Sequence, residues 1–103
     1  MRFGLSEATI GEICHVLAGY PQVRQAILYG SRARGNYRNG SDIDLTLQGD
    51  SDLSQQLLAK IASALDDLYI PYTVDLSAYQ QLAADPELRQ QIEQVGQLFY
   101  ERG

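Results

Sequence analysis

The stretch LYGSRARGNYRNGSDIDLTL, residues 28–47, places two glycine–serine pairs and two aspartates between two short apolar runs. Gly30 and Ser31 directly follow the first run, and Asp42 and Asp44 begin the second after ten intervening residues. Polar and apolar residues alternate from 42 to 47, which is the period of a half-buried strand. Side chains two apart on a strand project from the same face about 6.6 Å apart, so these carboxylates repel each other unless cations lie between them. The stretch therefore predicts an acidic pair on one face of a strand.

The acidic pair suits hard divalent cations. Magnesium is commonly held by one or two carboxylates together with substrate phosphates, so Asp42 and Asp44 form an incomplete site until a nucleotide binds. A third carboxylate on a neighbouring strand would complete a two-metal arrangement. Asp75 is the best candidate, because the alternation in YTVDL turns it away from the core. Asp66 and Asp67 compete for this role, although they fall near a predicted helix end, where solvated carboxylates are common.

The glycine–serine pairs and a nearby arginine suit phosphate groups. After a strand, Gly30 allows the backbone to approach a ligand closely, and Ser31 offers its hydroxyl and nearby amides to phosphate oxygens. Arg34 would add a charge-assisted hydrogen bond, and Ser41 is small enough to contact the terminal phosphate. Each feature alone is commonplace, since a Gly-Ser turn is usually only a turn and an arginine cluster is usually a solvated face. Their order and spacing together favour a nucleotide site.

Length and composition indicate one domain that spans residues 1–103. The hydrophobic content of 45% is ordinary for a globular protein that buries one core. The chain has no apolar run near the roughly 20 residues that cross a bilayer, and no basic and then apolar N-terminal segment. We therefore expect a cytoplasmic protein that makes no membrane contact and has no second domain for binding an acceptor substrate.

The charge of the chain argues against broad attachment to nucleic acid. The net charge is −5 at pH 7, so nucleic acids and anionic membranes would be repelled on average, and we expect no direct nucleic-acid partner. Half of the eight Lys and Arg residues nevertheless lie in residues 24–38, around the first glycine–serine turn. Positive charge is therefore concentrated where a triphosphate is expected.

Helical and strand patterns alternate along the chain. Apolar residues recur at helical spacing on both sides of the quoted stretch, and short apolar runs bounded by turn residues indicate strands. The alternation predicts an α/β or α+β fold with a small mixed sheet of three to four strands and helices packed mainly on one face. The predicted helices are 6–18 with Ser6 as N-cap, 52–68, and one from the N-cap Asp85 to about Gly96; the predicted strands are 25–29, 42–47 and 72–76, with 97–100 as a short strand or tail.

GSRARG, SDIDL and YTVDL, in this order, resemble the motifs of nucleotidyltransferases of the DNA polymerase beta superfamily. The chain is similar to the minimal nucleotidyltransferase (MNT) branch over nearly its whole length, from LSEATI to IEQVGQLFYE. The resemblance implies a polymerase beta-like nucleotidyltransferase core. It also implies that Gly30 and Ser31 bind a phosphate group of the nucleotide and that Arg34 contacts its triphosphate.

The same resemblance assigns the three aspartates to metal binding. It implies that Asp42 and Asp44 hold both magnesium ions, with manganese as a substitute, and that Asp75 holds the catalytic metal and helps to activate the attacking hydroxyl. Members of this branch commonly form a toxin–antitoxin pair with a helical HEPN-domain ribonuclease. The implied function is that of an antitoxin that transfers AMP from ATP to a tyrosine of its HEPN toxin within a hetero-oligomer.

A second hypothesis is a binding antitoxin that neutralises its partner through complex formation, with feeble or absent catalysis. The three intact aspartates favour the enzyme, since a protein that only binds has no need to cluster carboxylates. Nucleotidylation of a small molecule or of nucleic acid is a third, less favoured alternative.

Overall fold

Helices and strands alternate in the computed structural model, which describes residues 2–103. The helices are α1 (Glu7–Ala18), α2 (Ser31–Arg34), α3 (Gln55–Asp66), α4 (Tyr79–Leu82) and α5 (Pro86–Val95). The strands are β1 (Val23–Tyr29), β2 (Ile43–Gly49), β3 (Val74–Ala78) and β4 (Gln97–Glu101).

The strands form one mixed sheet in the order β3-β2-β1-β4. β1 pairs antiparallel with both β2 and β4, whereas β2 and β3 run parallel. A parallel pair needs a crossover connection, and α3 supplies it between β2 and β3. The predicted α/β fold with a small mixed sheet is confirmed, and the residues after α5 form its fourth strand rather than a tail.

One face of the sheet packs with α1 and α3 to form the core. Leu28, Leu45 and Leu47 on the strands are fully buried, as are Ile13 on α1 and Ile61 on α3. Full burial of a side chain of this size contributes about 1.5–3 kcal/mol to stability. The apolar positions of β1 and β2 therefore fix which face of the sheet is left for polar side chains.

The opposite face bears Ile27 on β1, Thr46 on β2 and Ser77 on β3, which lie side by side in register. α5 contacts β1, and Gly96 after it packs so closely that an added Cβ would lie 2.9 Å from Cγ2 of Ile27. α5 therefore borders this second face at the β1 side of the sheet.

The structure corrects several predicted boundaries. Ser6 and Asp85 cap α1 and α5 as predicted. α3 begins at Gln55 instead of residue 52, because the Ser54 hydroxyl accepts a hydrogen bond from the Leu57 amide and fixes the start, and it ends at residue 66 instead of 68. β1 begins two residues earlier than predicted, β2 ends two residues later, and β3 is displaced to 74–78. Among residues 2–103, no helix is long and apolar enough to cross a membrane.

Candidate active site

Asp44 and Asp75 lie next to each other near the start of the parallel strand pair. Asp44 on β2 is the register partner of Asp75 on β3. On its other side, Asp44 is the register partner of Tyr29 on β1. Register partners project from the same face of a sheet, so these three side chains form one row across it. The structure therefore brings the two strand aspartates together on the face opposite to the core.

Asp42 immediately precedes β2 and is exposed, as is Asp75, whereas Asp44 is half-buried. The pKa of the Asp44 carboxyl is raised first by burial and then by the charges of Asp75 and Asp42. Both neighbours are therefore close enough to oppose its ionisation. We call these three residues the carboxylate cluster. The competing candidates Asp66 and Asp67 lie at the C-terminal end of α3, outside this cluster.

The carboxylate cluster fits a magnesium ion that binds together with a nucleotide. Within residues 2–103, no three Asp, Glu, His or Cys side chains stand close enough together to hold a metal ion by themselves. Like charges are expected to stay apart while no cation lies between them. The donors are hard carboxylate oxygens with access to solvent, and magnesium usually completes such a set with waters and substrate phosphate oxygens.

The turn after β1 brings the backbone against Asp44. Gly30 has φ 77° and ψ −155°, a conformation that is essentially restricted to glycine. A Cβ at Gly30 would also collide with Oδ2 of Asp44. Ser31 follows as the first residue of α2 and is half-buried. The glycine–serine turn therefore directly borders the carboxylate cluster.

Arg32, for which the sequence predicted no role, fixes the loop between α2 and β2. Its side chain is only 3% exposed. Nε and Nη2 donate hydrogen bonds to the Ser41 carbonyl at 3.1 and 2.8 Å, and Nη1 donates to the Phe3 carbonyl at 2.8 Å. The guanidinium also lies 5.1 Å from the Tyr37 ring centroid and 4.8 Å from that of Tyr72. Arg32 thereby positions the residue that precedes the first aspartate of the cluster.

Ser41 and Arg34 occupy different surroundings. The Ser41 hydroxyl oxygen accepts a hydrogen bond from the Arg38 amide at 2.9 Å, which leaves its proton available to a ligand. Arg34 is exposed at the end of α2. Together with residues of α5 it lines a groove of about 740 Å³ that the carboxylate cluster does not line.

Hydroxyl groups that the sequence analysis did not assign lie on the same face as the carboxylates. The pKa of Tyr29 is raised first by burial, lowered by a hydrogen bond with Ser77, and raised further by Asp44 and Asp75. Thr46 is fully buried, and its Oγ1 has no hydrogen-bond partner within the described part of the chain. The alternation in IDLTL places Thr46 on the same face as Asp44, so the position of Thr46 beside the carboxylates could have been predicted from the sequence.

Solved structures of toxin–antitoxin complexes have chains similar to this one. One complex that contains AMP-PNP matches with 28% identity and a TM-score of 0.64, over 89% of this chain and 73% of that chain. The MntA–HepT toxin–antitoxin complex matches with 25% identity and a TM-score of 0.61, over 93% of this chain and 73% of that chain.

A third complex, in which a tri-AMPylated HEPN toxin of Shewanella oneidensis is bound to an MNT antitoxin, matches with 24% identity and a TM-score of 0.62. That match covers 94% of this chain and 73% of the other, and at this identity it shows the fold alone. A comparison with the curated proteins finds no match. The family model described as polymerase beta, nucleotidyltransferase matches residues 11–103. With nearly the whole sequence matched and the sheet bearing the aspartates as described, this chain belongs to the polymerase beta nucleotidyltransferase family.

Proposed function

We propose that this chain is a magnesium-dependent nucleotidyltransferase that transfers AMP from ATP to a tyrosine hydroxyl of a HEPN-type ribonuclease toxin, and that it thereby acts as the antitoxin. The strongest support is the carboxylate cluster against the glycine turn. Asp44 and Asp75 are in register on neighbouring strands, and the backbone of Gly30 is in contact with Asp44. Burial and the neighbouring carboxylates make the ionised form of Asp44 less stable. A protein that only binds its partner would have no need for such an unfavourable grouping of carboxylates.

Asp42, Asp44 and Asp75 are the residues that would hold magnesium or, as a substitute, manganese. When bound, the metal would lower the pKa of the acceptor hydroxyl and stabilise the pyrophosphate leaving group. The three carboxylates on one face would attract the metal–nucleotide complex because binding relieves their mutual repulsion.

Four other residues are proposed to bind the phosphates. Gly30 lets the backbone approach the ligand, and Ser31, the half-buried residue directly after it, would offer its hydroxyl to a phosphate oxygen. Ser41 keeps a hydroxyl proton for donation to a phosphate oxygen. The exposed guanidinium of Arg34 would donate charge-assisted hydrogen bonds to the triphosphate.

The acceptor hydroxyl is proposed to come from the partner protein. In the reaction, the tyrosine oxygen attacks the α-phosphorus in line, the bond to the pyrophosphate breaks, and the hydroxyl proton passes to Asp75, which is exposed to the approaching group. The similar chains belong to toxin–antitoxin complexes, one of them with AMP-PNP, and this supports a HEPN-type toxin as the partner. A bound protein also supplies the wall that so small a domain lacks around an acceptor.

Mass spectrometry of a co-expressed HEPN-type partner tests the proposal. The wild-type chain with ATP and magnesium should add whole AMP units to a partner tyrosine. Asp44→Asn and Asp75→Asn should each lower the addition by at least a hundredfold, because each removes a metal ligand. Asp67→Asn, which changes a carboxylate of the same type outside the cluster, is the matched control and should retain full transfer.

Binding to the partner is measured in the same samples by co-purification. The carboxylate-cluster variants should still form the complex, since these side chains do not belong to the hydrophobic core. A partner that stays unmodified beside the wild-type chain, ATP and magnesium, yet is inhibited in a tight complex, would replace the enzyme proposal with the binding antitoxin.

A further inference from the structure

The groove beside Arg34 is formed between α2 and α5. Leu88, Gln91 and Val95 line it from α5 at helical spacing, and all three are half-buried. Gln94 adds a second, exposed amide. The volume of about 740 Å³ lies within the range of roughly 300–1,000 Å³ that is typical of small-molecule sites. The groove is therefore large enough for a nucleoside and not only for a phosphate.

The groove and the carboxylate cluster border opposite ends of one short helix. The cluster touches Gly30 directly before α2, and the groove is lined by Arg34, the last residue of α2. These four helical residues rise about 6 Å, which is shorter than a nucleoside triphosphate. α5 also borders the sheet face that bears the carboxylates, because Gly96 packs against Ile27 of that face. One bound nucleotide can therefore reach both places.

The chemistry of the lining fits a base and a ribose better than a polyphosphate. Glu87 and Asp85 place two carboxylates at the groove, and these would repel phosphate groups. The amides of Gln91 and Gln94 each offer a donor and an acceptor, the combination that pairs with the edge of a nucleobase. Leu88 provides apolar surface against which a base can pack.

We propose that the groove between α2 and α5 binds the base and ribose of the nucleoside triphosphate, with Gln91 and Gln94 reading the edge of the base. The inference rests on the proposed function, in which the phosphates lie at Gly30 and Ser31. It adds a specificity site on α5 that selects among nucleotides. Arg34 then stands at the boundary between the nucleoside and the phosphates.

Calorimetry with magnesium present tests the groove with three probes: ATP, GTP and inorganic tripolyphosphate. Gln91→Ala should lower the affinity for ATP about tenfold and reduce the preference between ATP and GTP, because an amide that pairs with a base edge is lost. The affinity for tripolyphosphate should stay unchanged. Gln91→Met keeps a side chain of similar length without the amide and without a charge, so it should show the same loss and exclude an effect of the smaller volume.

Gln56→Ala is the matched control, because it removes an exposed glutamine from α3, outside the groove. It should bind all three probes as the wild type does. Unchanged ATP affinity in both Gln91 variants would overturn the inference, as would an equal loss of ATP and tripolyphosphate affinity. Unchanged ATP affinity with slower transfer to the partner would assign the groove to the acceptor instead. A wild-type chain that binds neither ATP nor tripolyphosphate would contradict the proposed function itself.

Discussion

Asp44 shows how the site affects the fold at the scale of a single residue. Its pKa is raised first by burial and then by the charges of Asp75 and Asp42. An acid whose pKa is raised in the folded state opposes folding when it is ionised. This penalty is full above the folded pKa and disappears as the pH falls below the unfolded value of about 3.9. The ionised Asp44 carboxylate therefore destabilises the protein while no cation balances it.

Asp44→Asn should stabilise the protein at pH 7.5 in magnesium-free buffer. We expect the Tm to rise by a few degrees. The ionised Asp44 carboxylate is unfavourable in the folded state, because it is partly buried and close to two other carboxylates, and the neutral amide avoids this cost. The rise should shrink as the pH falls toward the ordinary pKa range of an aspartic acid, because the wild-type carboxyl becomes protonated on the way. Thermal unfolding followed by circular dichroism measures both. Asp52→Asn, which changes an exposed carboxylate that precedes α3 and lies outside the cluster, is the control and should leave the Tm close to that of the wild type. A Tm of Asp44→Asn at or below wild type at pH 7.5 would contradict this account.

Arg32→Ala should destabilise the fold strongly. The buried guanidinium donates to the carbonyls of Phe3 and Ser41, and its loss leaves both oxygens without this donor. We expect a loss of about 2–4 kcal/mol in the free energy of unfolding, measured by urea denaturation. Arg32→Lys should recover little, because an ammonium lacks the planar set of donors. The exposed Arg38→Ala is the control, for which a change within about 0.5 kcal/mol is expected; equal losses in Arg32→Ala and Arg38→Ala would refute the structural role.

At the scale of elements, the sequence predicted what local periodicity determines. The alternation in YTVDL correctly placed Asp75 outward, since it is exposed while Val74 and Leu76 are half-buried. The four-residue α2 and α4 were missed because one turn is too short to show an apolar period. The burial of Arg32 and the register of Asp44 with Asp75 were also beyond prediction. Both depend on residues that are distant along the chain, such as Phe3, 29 positions before Arg32.

The turn between β1 and α2 gives a prediction for two glycines. Gly30→Ala should reduce transfer roughly hundredfold, because the new Cβ would push the Asp44 carboxylate out of position. Gly35→Ala is the matched control: its φ of 86° also disfavours a side chain, but nothing lies within 4 Å of the added Cβ. It should lower stability by about 1 kcal/mol and keep the activity. Transfer rates per folded molecule measure the difference. Equal rates for the two variants would show that Gly30 has no specific role in the active site.

At the scale of the whole molecule, the sheet separates the core from the site. α1 and α3 fill one face, and the carboxylate cluster lies on the other. The positive charge around the turn is less available than the sequence indicated. Arg24 lies 3.9 Å from Asp50, and Arg32 is buried, so Arg34 and Arg38 are the exposed arginines of this region that remain for a ligand.

Nucleotidyl transfer itself is tested most directly with ATP labelled at a single phosphate. The wild-type chain, magnesium and the HEPN-type partner are incubated with ATP that is labelled at either the α- or the γ-phosphate. The α-label should appear on a tyrosine of the partner, and the γ-label should be released as pyrophosphate, because attack at the α-phosphorus transfers AMP. Label from the γ-phosphate on the partner, or an unlabelled partner that is nevertheless inhibited, would contradict the account.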